Sequence, residues 1–130
     1  MKPINTGRHL SFTRSLTLAL LLGPSPTFAA GDIAAGEKVF GRCAPCHATE
    51  RGANKIGPSL AGVVGRKAGT APGFKYSPAL ANAPTTWDEG SLDKFLQNPT
   101  GFVHGTQMFT NVANGEDRQN VIAYLESLPR

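Results

Sequence analysis

Apolar residues in this chain gather into a few short stripes at helical spacing, separated by long runs rich in glycine and proline. Ile33, Gly36 and Phe40 recur at helical spacing behind Asp32, an acidic capping residue, and predict a first helix that runs on into Cys43. Gly36 lowers helix propensity, so close approach of another backbone is its expected reason. Ser77-Pro78 is a helix start, with Ser at the cap and Pro in the first turn, and predicts a short helix through Asn82. Thr86-Trp87-Asp88-Glu89 has the form of a capping box ahead of the stripe Leu92, Phe95, Leu96, which Asn98-Pro99 closes. Asn114-Gly115-Glu116-Asp117 opens a last helix whose apolar face is Val121, Ile122, Tyr124, Leu125 and Leu128. That helix is expected to cross the first, with Gly36 and Phe40 against Val121 and Tyr124. Thr100 to Asn114 reads as loop. Between Ala48 and Lys75, eight Gly and Pro residues from Gly52 to Gly73 interrupt every candidate helix except a weak turn near Leu60 to Val64.

The first 29 residues stand apart from this pattern. Lys2, Arg8 and Arg14 come without an acidic residue, Leu16 to Leu22 is an apolar run, and small and turn residues follow from Pro24 to Ala30. That order is a cleaved secretory signal peptide, residues 1–29, with cleavage after Ala29 or Ala30. The rival, a retained anchor, needs an apolar run of roughly 20 residues. Residues 30–130 then form one exported, periplasmic domain without stable membrane insertion. Removing three of the 13 basic residues leaves 10 against nine acidic, a net charge near +1. A balance so close to neutral gives no basis for a nucleic-acid or membrane-surface function.

Both cysteines lie in Cys43-Ala44-Pro45-Cys46-His47. On a helical backbone Cys43 and Cys46 share a face and His47 follows one turn after Cys43, which suits two thioether bonds to a haem and an imidazole to its iron. A disulfide and a zinc site are the rivals. The histidine directly after the pair and the lack of any βαβ pattern disfavour a redox disulfide, and zinc would need about four ligands. A haem also accounts for the long Gly/Pro stretch, because a flat apolar cofactor supplies a core over which loops fold.

Met1 leaves with the signal, so Met108 is the one thioether of the exported chain, and His104 is the one further imidazole. A second axial ligand is therefore Met108 or His104, or the position is open.

Several segments in order resemble the class I cytochromes c: Cys43-Ala-Pro-Cys-His47, Gly57-Pro-Ser-Leu60, Gly65-Arg-Lys67, Ala71-Pro-Gly-Phe-Lys-Tyr76, Thr86-Trp87, Leu96-Gln-Asn-Pro99, Gly105-Thr-Gln-Met108 and Val121-Ile-Ala-Tyr-Leu125. The resemblance covers nearly all of residues 30–130. It implies an all-α class I cytochrome c fold, three to five helices wrapped around one covalently bound haem c, with crossing terminal helices. It further implies His47 as proximal ligand, oriented by the Pro58 carbonyl, and Met108 as distal ligand. Arg66, Tyr76 and Trp87 match positions that meet a buried haem propionate. Three departures stand out. His104 replaces a usual proline, Phe95 a usual tyrosine, and Thr110 a frequent aromatic. Arg42 and Lys55 remain of a usual ring of cations, with Thr100, Gly101 and Gln107 neutral. A weakened bond from Met108 to the iron, with His104 able to take its place, is the expectation from these changes.

The function implied is electron carriage by a monomer, not enzymatic turnover, between a quinol-oxidising cytochrome complex and a terminal oxidase or photosynthetic reaction centre. The rival is a peroxidase-like or ligand-binding haem protein whose distal ligand leaves, with His104 as its acid–base group. A sensor role would need a partner domain, which the chain does not contain.

Overall fold

The computed structural model describes residues 30–130, together with Pro3; the expected export signal otherwise lies outside the described residues. Five helices follow in order: α1 Ile33–Phe40, α2 Pro78–Ala81, α3 Glu89–Gln97, α4 Pro99–Phe102 and α5 Gly115–Ser127. Among the described residues the only β pairing is one antiparallel bridge between Lys67 and Thr86. No described helix is long and apolar enough to cross a membrane.

Asp32 caps α1 as expected, its carboxylate accepting from the Ala35 amide at 2.9 Å. The regular helix stops at Phe40, but helical hydrogen bonds continue, with the Ala44 amide donating to Phe40 and the His47 amide to Cys43 at 3.0 and 2.9 Å. Pro45 has no N–H to continue the ladder, so the cysteine motif forms a separate turn at the end of α1.

α1 and α5 cross at Gly36. A Cβ there would overlap the Asn120 backbone and lie 2.8 Å from the Tyr124 Cβ. Phe40 packs on Tyr124 with ring centroids 5.3 Å apart. The buried Asn120 accepts from the Asp32 amide at 2.8 Å, so a polar clasp closes the same contact. Gly36 thus meets Asn120 and Tyr124, one residue displaced from the expected pairing with Val121.

Two expectations need correction. The α3 capping box is Asp88 with Ser91, not Thr86 with Glu89. Thr86 is held extended by its bridge to Lys67, and the neighbouring Trp87 amide donates to Arg66 at 2.9 Å, so Asp88 is the first residue free to cap. Its carboxylate accepts from the Ser91 amide at 2.7 Å, which lowers its pKa. Residues 99–102 form α4 rather than loop. Asn98 ends α3 and also caps α4, accepting from the Gly101 amide at 3.0 Å, while Pro99 supplies the first turn.

Ala48 to Lys75 contains no helix, and the expected weak turn sits at Ala61–Gly62. The stretch satisfies its polar groups internally. Asn54 alone accepts from the Ser59 amide at 2.9 Å and donates to Pro72 at 2.9 Å.

The α1–α5 crossing leaves no room for a side chain at residue 36. Gly36→Ala is expected to destabilise the haem-loaded protein by about 1–3 kcal/mol in urea unfolding, because overpacking outweighs the roughly 1 kcal/mol gained in helix propensity.

Candidate haem cleft

A cleft of about 400 Å3 opens beside the cysteine turn. Nine of the thirteen residues of the buried apolar cluster also line it, so the side chains surround a space instead of filling it. Cys43, Cys46, His47, Pro58, Tyr76, Trp87 and Met108 all face this cleft. Arg66 does not line it. Three sides of the cleft come from separate elements: the turn after α1, the segment Leu92 to Leu96 of α3 with Trp87 before it, and the loop between α4 and α5.

Both thiols are unbridged and half-buried. Burial pushes the Cys43 thiol pKa up, with Arg42 opposing and Cys46 adding to it. Among the described residues no three His, Cys, Asp or Glu side chains converge as a zinc site would require.

His47 is fixed from two directions. Its Nδ1 lies 2.8 Å from the Pro58 carbonyl, which can only accept, so Nδ1 carries the proton and Nε2 keeps its lone pair. Gly57 backs the ring: a Cβ there would fall 2.7 Å from Nδ1 and 2.9 Å from Nε2. Burial lowers the His47 pKa, opposed by the Pro58 hydrogen bond and assisted by Lys55. The imidazole is thereby kept neutral, as a metal ligand must be.

Met108 lines the same cleft from the loop between α4 and α5. Its amide donates to the Thr106 hydroxyl at 3.3 Å, and Thr106 is itself buried. His104, four residues earlier, is exposed and does not line the cleft. Phe95 lines the cleft and packs on Trp87 with centroids 5.0 Å apart, so a ring without a hydroxyl occupies this position.

Arg118 escaped the sequence reading. Only 8 % exposed, it donates from Nε to Asp93 at 2.7 Å and from one terminal nitrogen to the Val112 and Ala113 carbonyls at 2.9 and 2.8 Å. The Val112 amide in turn donates to Leu96 at 2.8 Å. The loop carrying Met108 is thus clamped at its far end to α3 and α5. An arginine on an otherwise polar helix face carries no sequence signal of this role. Ile56 and Phe109 were also overlooked; 80 % and 77 % exposed, they stand at the margin of the cleft. Large apolar residues in polar loops were the signal available for them.

The residues fit a haem. Two thiols share a turn, a neutral imidazole and a thioether-bearing residue line one apolar cleft from separate segments, and Gly57 leaves the imidazole the room a side chain would take. An all-helical fold around such a cleft is that of a covalent haem protein. The chain matches the Cytochrome c family over residues 33–129. It is 47 % identical to a cytochrome c2 of Rhodomicrobium vannielii over 109 residues, 82 % of this chain and 87 % of that protein. It is 52 % identical to the cytochrome c2 iso-2 of Magnetospirillum fulvum over 90 residues, 68 % of this chain and 94 % of that one. The solved cytochrome cH of Methylobacterium extorquens superposes with a TM-score of 0.71 at 43 % identity, covering 75 % of this chain and 99 % of its own. The chain belongs to the cytochrome c family, with the class I fold. It is an electron carrier rather than an enzyme, and its cofactor is haem c held through Cys43 and Cys46.

The Arg118 clamp generates a test. Arg118→Gln is expected to destabilise the protein by about 1–3 kcal/mol, the range for a lost charged hydrogen bond in a partly buried site. Hydrogen exchange at the Val112 amide should accelerate beyond what the loss of global stability explains.

Proposed function

We propose that this chain is a periplasmic one-electron shuttle, exported by residues 1–29, whose iron is held by His47 and Met108. The observation that carries the reading is that a His47 ring with a free Nε2 lone pair and Met108, the one thioether after residue 29, line the same apolar cleft. Bound there, haem supplies a reversible one-electron iron couple; a methionine and histidine ligand pair, together with burial, raises its potential. Pro58 and Gly57 hold the His47 ring in one tautomer and orientation. Thr106 and Arg118 hold the Met108 loop from either side. Two rigid supports keep the ligand geometry nearly the same in both oxidation states, which keeps reorganisation small.

Tyr76 and Trp87 face the cleft and are the residues proposed to meet the haem propionates. Arg66 is joined to Trp87 through the backbone, the Trp87 amide donating to the Arg66 carbonyl at 2.9 Å. The Arg66 Nε is buried without a partner, which suits it to a carboxylate reached from that side. Its two terminal nitrogens are already engaged by the Ala61 and Ser59 carbonyls at 3.0 and 2.9 Å.

The peroxidase-like reading asks for an acid–base group over the iron, and His104 lies exposed outside the cleft. The same placement means that exchange of Met108 for His104 requires the loop to rearrange. Absorption spectra of the exported protein decide between the readings. The far-red sulfur-to-iron band is expected in the oxidised protein, unchanged in His104→Ala and lost in Met108→Ala. Reduced Met108→Ala should bind carbon monoxide, whereas prompt binding by the unaltered protein would support the open-site alternative.

The proposed partners are a quinol-oxidising cytochrome complex as donor and a terminal oxidase or reaction centre as acceptor, met by a monomer. The cleft margin offers them little charge. Arg42 pairs with Asp117 at 3.1 Å, while Lys55, bonded to the neutral Ala44 carbonyl at 2.9 Å, keeps its charge, so a single unpaired cation of the usual ring remains there. Charge at a rim mainly sets the association rate. The second-order rate of electron transfer to such a partner is therefore expected to change by less than about threefold between low and physiological salt, where a charged rim would give a drop of tenfold or more.

A further inference from the structure

Among the described residues three large apolar side chains stand exposed: Ile33, Ile56 and Phe109. Ile33 opens α1 and does not line the cleft, whereas Ile56 and Phe109 both do, so these two sit at its mouth. They come from separate segments. Ile56 precedes Gly57, which backs the His47 ring, and Phe109 follows Met108. Single exposed apolar residues are ordinary, but two at the mouth of one apolar cleft extend it into a patch.

Charge is nearly absent from the same place. Of Asp, Glu, Lys and Arg, only Arg42 is among the described residues lining the cleft, and Asp117 pairs with it at 3.1 Å. Gln107, Thr110 and Asn111, on either side of Phe109, are exposed and neutral. Lys55, next to Ile56, keeps its charge but does not line the cleft. Residues 30–130 carry ten basic side chains against nine acidic ones, so two copies of the domain repel each other little. An acidic face would find one unpaired cation here to grip, whereas a second copy would find an apolar mouth like its own.

We propose that a second copy of this chain docks transiently on the cleft mouth through Ile56 and Phe109, and that an electron passes from copy to copy there. The inference rests on the one-electron reading of the cleft. One electron leaves the reduced copy and enters the oxidised one. No proton moves, no further reactant is consumed, and the pair that results is the pair that began, so the step has no net driving force. Its rate is set by encounter and by reorganisation. The supports of His47 and of the Met108 loop keep reorganisation small, and the uncharged mouth spares the encounter from like-charge repulsion. A few side chains fall well short of the roughly 1,000 Å2 that a lasting interface buries, so the contact opens again after transfer.

The test mixes reduced and oxidised haem-loaded protein and measures self-exchange from the broadening of nuclear resonances. A rate constant of about 10⁵ M⁻¹ s⁻¹ or more is expected, the range of a neutral encounter, with less than about threefold change between low and physiological salt. Ile56→Ser and Phe109→Ser should each lower it about tenfold, the scale of one apolar side chain left in water. Ile33→Ser, outside the cleft, should leave it unchanged. Thr110→Lys keeps both apolar side chains and puts like charges on the facing mouths, so exchange should slow at low salt and recover as salt is added.

A second readout needs no electron transfer. In the fully reduced protein, amide resonances of residues 55–57 and 107–110 should shift as the protein is concentrated into the millimolar range, and should stop doing so in Ile56→Ser. Ile56 is far along the chain from Met108, so this variant decides the matter even where Phe109→Ser disturbs the methionine. The proposal is overturned if the unaltered protein exchanges more slowly than about 10⁴ M⁻¹ s⁻¹, below the range of a neutral encounter. It is equally overturned if Ile56→Ser exchanges as fast as the unaltered protein, or if Ile33→Ser slows exchange as much as Ile56→Ser does. Those results would leave the mouth to a different apolar partner. Voltammetry of the same samples separates the two readings: a reversible couple with slow exchange removes the copy-to-copy step alone, and the lack of a reversible couple removes the shuttle as well.

Discussion

The structure depends on a core that its own side chains do not fill. Phe40, Leu92, Phe95, Leu96, Val121 and Leu125 are buried, yet all of them border the cleft rather than meeting in its centre. Close packing is what makes an interior stable, and here the missing partner atoms are those of the cofactor. Four of the five helices among the described residues run nine residues or fewer, too short to persist without something to pack on. The covalent haem is therefore as much part of the fold as of the chemistry.

The two sides of the cleft are held by different means. On the His47 side the support is local, from Pro58 and Gly57 about ten residues down the chain. On the Met108 side it is remote: Leu96 from α3 and Arg118 from α5 grip the loop beyond the methionine. Local support survives partial opening of the molecule, whereas remote support requires α3 and α5 to be docked. The methionine side is the half of the site that feels changes elsewhere in the fold.

The parts of this arrangement legible in the sequence were those written in adjacent residues. Asp32, Ser77 and Asn114 each cap the helix they were expected to cap, and the cysteine turn and its histidine sit where their spacing put them. The shifted α3 cap was not legible, because it depends on Thr86 meeting Lys67, nineteen positions away. α4 was missed since four residues are too few to show a period. Arg66 was assigned to a haem propionate by resemblance; its side chain is held by the Ser59 and Ala61 carbonyls and is not among the residues lining the cleft. A contact between distant segments decides the shifted cap, and a single sequence does not record it directly.

The Gly36 crossing also bears on the order in which the molecule is assembled. The clasp between Asp32 and Asn120 joins residues 88 apart, nearly the full length of the domain. Ring closure over that distance is entropically slow, and folds dominated by such contacts form late. As the chain emerges, the turn bearing the cysteines is available for haem attachment well before α5 exists to lock against α1. Attachment to an open chain, followed by closure of its two ends around the cofactor, is the sequence of events this topology favours.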